Sequence, residues 1–97
     1  MIFKSLEKHI SKHNEELGMM SVDLDIYPNE KRAVAYLLDG GHIVEMHKLD
    51  DGYYCILMTE LEEKVLNRKK VKNDSQLIDL IDYYQNISVC GKISRVA

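Results

Sequence analysis

At 97 residues the chain is sized for one domain, residues 1–97, and 45% hydrophobic with 30% charged residues is an ordinary globular balance. A formal net charge of −3 and a pI near 5.8 argue against a general nucleic-acid binder and are too mild for a nucleic-acid mimic. No stretch approaches the ~20 apolar residues of a membrane span, which argues against membrane association.

The opening MIFKSLEKHISKH is charged from Lys4 onward and lacks the apolar centre of a secretion signal. The expected compartment is therefore the reducing cytoplasm, with Cys55 and Cys90 as thiols. Phe3, Leu6, Ile10, His13 and Leu17 recur at helical steps, and Gly18 follows as a stop. That predicts an amphipathic helix. SVDLDIY then alternates, with Val22, Leu24 and Ile26 opposite Asp23 and Asp25, as a half-buried strand does. Pro28 opens a turn, and 32–38 is apolar on both faces, so it predicts a central strand. Strands at 42–48 and 53–59 follow Gly40-Gly41 and LDDG, and a short edge strand is expected at about 64–71. Asn73 is a good N-cap with Gln76 three residues on, so a second helix starts there, with Leu77, Ile81 and Tyr84 in its stripe. The tail, 87–97, either adds a strand or hangs free.

The expected fold is α+β, in the order α-β-β-β-β-(β)-α. An antiparallel meander of four to five strands carries an N-terminal and a C-terminal helix on one face. A two-residue Gly40-Gly41 turn pairs Leu37 with Val44 and Ala35 with Met46. A three-residue LDDG loop with Gly52 left-handed pairs Met46 with Ile56 and Val44 with Met58. The helix-covered face then holds Val22, Leu24, Ile26, Ala33, Ala35, Leu37, Val44, Met46, Ile56 and Met58. The opposite face holds Val34, Tyr36, Leu38, Ile43 and Leu57, rimmed by Asp23, Asp25, Glu45 and His47. An uncovered apolar patch of this kind marks an interaction surface. The expected function is a small non-enzymatic binding module, a regulatory or inhibitory accessory protein that acts by protein–protein contact there, with self-association into a homo-oligomer such as a homodimer expected.

Two other chemistries compete. Lys64, Arg68, Lys69, Lys70 and Lys72 form a basic cluster able to contact phosphates, though lysines on an edge strand also guard against aggregation. His47 and Cys55 become cross-strand neighbours in this register, the start of a metal or thiol site. Zinc needs three or four converging ligands, and Asp25 lies two strands away, roughly 9–10 Å. A thiol nucleophile needs an orienting group and an oxyanion hole, and none is evident. No cofactor, metal or catalytic motif is therefore expected. His9 and His13, at i and i+4, read as a pair on the helix surface.

Overall fold

The computed structural model describes residues 3–38 and 40–89. The chain forms α1 (Lys4–Leu17), β1 (Val22–Tyr27), a 3-10 turn (Pro28–Glu30), β2 (Arg32–Leu37), β3 (His42–Leu49), β4 (Gly52–Thr59), β5 (Val65–Val71) and α2 (Asp74–Val89). The expected α+β layout is present, with the edge strand formed. All five strands pair antiparallel in the order β1-β2-β3-β4-β5. Residues 87–89 continue α2 and supply no strand, and 90–97, including Cys90, lie outside the described residues.

Phe3, Leu6 and Ile10 of the N-terminal stripe bury against the sheet, whereas Leu17 is 53% exposed because the helix ends there at the left-handed Gly18. Asn14, in the last turn, fixes the route into β1. Its Oδ1 accepts from the Ser21 backbone (3.0 Å), the Ser21 hydroxyl (3.2 Å) and the Val22 backbone (3.3 Å), while its Nδ2 donates to the Val22 carbonyl (2.8 Å). Asn73 caps α2 by accepting from the Gln76 N–H at 2.9 Å, and the Gln76 side chain reaches back to the Lys72 N–H at 2.8 Å. His9 is not a bystander on the helix surface. Its Nε2 meets the Asp82 carboxylate at 2.9 Å and ties α1 to α2.

Both helices lie on one sheet face. Phe3, Leu6 and Ile10 of α1 share a single cluster with Leu77, Leu80, Ile81 and Tyr84 of α2 and with inward residues of every strand. Burying each large aliphatic side chain contributes roughly 1.5–3 kcal/mol, which is why this layer dominates the fold. Tyr53 closes one end. Its ring lies 5.4 Å from that of Phe3, and its hydroxyl donates to Asp74 at the start of α2. Burial, helped by the neighbouring carboxylate, pushes the Tyr53 phenol up to about 12.

The β1–β2 register is as expected, with Val22 opposite Leu37, Leu24 opposite Ala35 and Ile26 opposite Ala33. The next two turns differ. Leu37 pairs with His42 rather than Val44, so four residues separate β2 from β3 instead of two. This slip of two leaves every side chain on its expected face. Leu49 pairs with Gly52, so Asp50-Asp51 is the two-residue turn and Gly52 belongs to the strand. That slip of one reverses β4. Tyr53, Cys55 and Leu57 face the helices, and Ile56 and Met58 face away. The reason is Gly52 itself. With φ +147° and a would-be Cβ only 2.1 Å from the Val71 carbonyl oxygen, it is required where β5 passes close by, not inside the turn.

Candidate interaction face

The sheet face opposite the helices is built from three cross-strand rows. The central one runs Asp25, Val34, Glu45, Ile56, Arg68 from β1 to β5. On one side lies Asp23, Tyr36, Ile43, Met58, Val65, and on the other Tyr27, Arg32, His47, Tyr54, Lys70. Val34, Ile43 and Met58 form a second apolar cluster, and Tyr27, Tyr36 and Ile56 pack around it. No helix residue belongs to that cluster, so the described chain supplies nothing that covers it. The three central side chains are nevertheless 6–9% exposed, sheltered by their taller neighbours.

Four of the expected interface residues, Val34, Tyr36, Leu38 and Ile43, lie on or beside this face, and Leu38 is 43% exposed at its margin. Leu57 does not. It is 2% exposed in the helix-covered core, a consequence of the reversed β4, and Ile56 and Met58 take its place. The signal for that exchange was weak, because YYCILM is apolar at every position and alternation cannot choose between its faces.

Charge is distributed across the face by strand. Asp23 and Asp25 are the charged residues of β1, and Arg68 and Lys70 are the outward cations of β5. Between them a small ionic group is satisfied within the sheet: Glu45 accepts from His47 Nε2 at 2.6 Å and lies 4.0 Å from Arg32. Arg32 also sits 4.4 Å above the Tyr27 ring. Burial, then Tyr27 and the nearby carboxylates of Asp25 and Asp23, raise the Tyr36 phenol, so it stays a neutral donor beside the apolar cluster.

The basic cluster is divided. Arg68 and Lys70 point to the open face, whereas Lys69 pairs with Cys55 on the helix side and lines a cleft with Leu80 and Tyr83 of α2. Lys70 is held by Asp51 at 2.6 Å. Lys64 and Lys72 lie just beyond either end of the strand. The five cations thus do not form one patch.

The expected neighbourhood of His47 and Cys55 is not formed. His47 pairs with Tyr54 on the open face, and Cys55 is fully buried on the other. Burial pushes the Cys55 thiol up to about 12, which keeps it protonated and poorly nucleophilic. Among the described residues, no three His, Cys, Asp or Glu side chains are grouped to hold a metal ion. One buried polar pair has no signature in the residue spacing. His42 Nδ1 lies 2.8 Å from the Ser88 hydroxyl, with the two residues 5% and 3% exposed. Among the described residues no carboxylate bonds this ring, and burial lowers its pKa. The pair locks the end of α2 against the start of β3, where a Cβ on Gly40 would lie 1.7 Å from the same hydroxyl.

No protein-family model matches the chain, and neither a curated protein nor a solved structure matches it.

Proposed function

We propose that the protein is a small non-enzymatic binding module, a regulatory or inhibitory accessory protein of the cytoplasm, acting through protein–protein contact on its open sheet face. The observation that carries this reading is the second apolar cluster, Val34, Ile43 and Met58 with Tyr27, Tyr36 and Ile56, which no helix among the described residues covers while both helices serve the other side. An apolar centre with tyrosines and a charged rim has the composition of a recognition surface. The buried, protonated Cys55 fits a structural role better than a chemical one.

A photo-crosslinking amino acid placed at Tyr36 tests the reading in the cells that make the protein. Adducts are expected from that position and not from Tyr83, which is 58% exposed on the helix layer. Adducts from Tyr83 alone, or from neither position, would overturn it.

A further inference from the structure

Resting on the open face as an interaction surface, we infer that its occupant is a second copy of this chain. The two sheets pack face to face about a two-fold axis that runs parallel to the strands along β3. β1 of each protomer then lies over β5 of its partner.

The charge pattern decides both the occupant and the axis. The open face is acidic along one edge, through Asp23 and Asp25, and basic along the other through Arg68, beside Lys70, which Asp51 already holds. Such a face is its own complement. A two-fold axis parallel to the strands exchanges the two edges, so Asp25 of one protomer meets Arg68 of its partner, and symmetry repeats the contact at the far edge. An axis perpendicular to the strands would set Asp25 over Asp25 and Arg68 over Arg68, with repulsion at both margins.

The interior rows agree with the same operation. Ile43 meets its own copy on the axis, and Tyr36 of β2 comes over Met58 of the partner's β4, an aromatic–thioether contact. Arg32 comes over Tyr54, a cation above a ring. Glu45 also meets its copy on the axis. Its carboxylate is already drawn aside by His47 at 2.6 Å and by Arg32 at 4.0 Å in its own sheet. Aligned sheets pack about 10 Å apart, close enough for these side chains to interdigitate. A sheet of five strands spaced ~4.8 Å and about 20 Å long offers a plan of roughly 400–500 Å² per copy. The pair therefore buries on the order of 1,000 Å², the low end of specific interfaces, and its association depends on concentration.

Sedimentation of the purified full chain from about 1 μM to about 1 mM, with charge-swapped variants, tests the assignment. The wild type is expected to pass from monomer to dimer across that range, with an affinity that falls as salt is added. Asp25→Lys and Arg68→Glu should each weaken the dimer by about tenfold or more, because each creates two like-charge contacts. Asp25→Lys combined with Arg68→Glu should restore it to within about threefold of wild type. Both side chains are exposed, so melts of the single variants should match wild type. If a swap melts poorly, Asp25→Asn and Arg68→Gln replace it, each expected to weaken the dimer about threefold.

A wild type that stays monomeric to about 1 mM overturns the second-copy assignment. So does a dimer indifferent to both single swaps, which would place the contact on a sheet edge or on the helices. Failure of this assignment is separable from failure of the broader reading. Crosslinks from Tyr36 to a different protein, with a monomeric wild type, would keep the open face as the interface and remove only the second copy.

Discussion

His42 shows how one buried ring makes the fold sensitive to pH. In the unfolded chain a histidine takes up a proton near its ordinary 6.5, whereas in the fold burial lowers that value and the ring stays neutral against Ser88. Below 6.5 the unfolded state therefore binds more protons than the folded state. Stability from this group is complete above 6.5 and declines as pH falls through 6.5 toward the lowered folded value. Urea midpoints measured from pH 7.5 to 5 should fall in the wild type, by a fraction of the ~1.4 kcal/mol per pH unit that one proton allows. His42→Asn should show a shallower fall, since the remaining histidines are common to both proteins. Parallel curves for the two would mean that the ring is not held neutral. The Cys55 thiol, raised by the same desolvation, stays protonated through this range and adds nothing to the slope.

The element that organises the N-terminal half is the last part of α1, and its key side chain is polar. Asn14 serves the Ser21 hydroxyl and three backbone groups of Ser21 and Val22, residues that are 1% and 3% exposed. Asn14→Ala leaves those groups without protein partners, at about 1–3 kcal/mol for each one kept from water. A loss of roughly 2–3 kcal/mol is expected by urea denaturation, with a smaller loss for Asn14→Asp, which keeps the acceptor. A change below about 0.5 kcal/mol would show that water replaces the side chain freely. Asn14 is invisible in the sequence, because its partners lie beyond the helix end and no spacing announces them. Periodicity does reveal the helices themselves, the cap at Asn73 and the β1–β2 register, where apolar and acidic residues alternate strictly. It fails at β4, where both faces are apolar. There parity turns on where Gly52 sits relative to β5, and its close approach to the Val71 carbonyl is a tertiary fact.

At the scale of the molecule, the open face was legible and its full membership was not. Val34, Tyr36 and Ile43 follow from β2 and β3, whose parity survives a slip of two, whereas Leu57 gives way to Ile56 and Met58 with the reversal of β4. The acid-to-base gradient across the face needed the β5 register, which a bulge between Leu57 and Met58 shifts by one residue. Tyr36→Asp separates the roles of the two faces. Tyr36 is half-buried among sheet side chains, with no helix above it among the described residues. The variant should melt within about 1 kcal/mol of wild type, the range of ordinary surface changes, while losing self-association. Collapse of its cooperative melt would mean that the patch acts as a core.

The chain order of the meander also has a consequence for the protein during its synthesis. Each strand pairs with its sequence neighbour, so the sheet can assemble hairpin by hairpin as the chain emerges. Leu77, Leu80, Ile81 and Tyr84, which cover much of the inner face, are made after all five strands. For that interval the part of the inner face that α2 will cover is wet, as the open face is, a condition under which sheets join edge to edge. β5 emerges just before α2, bringing Arg68, Lys69 and Lys70 to the free edge before that helix covers the inner face. The lysines of the last strand thus protect the growing chain at the stage when it is most exposed.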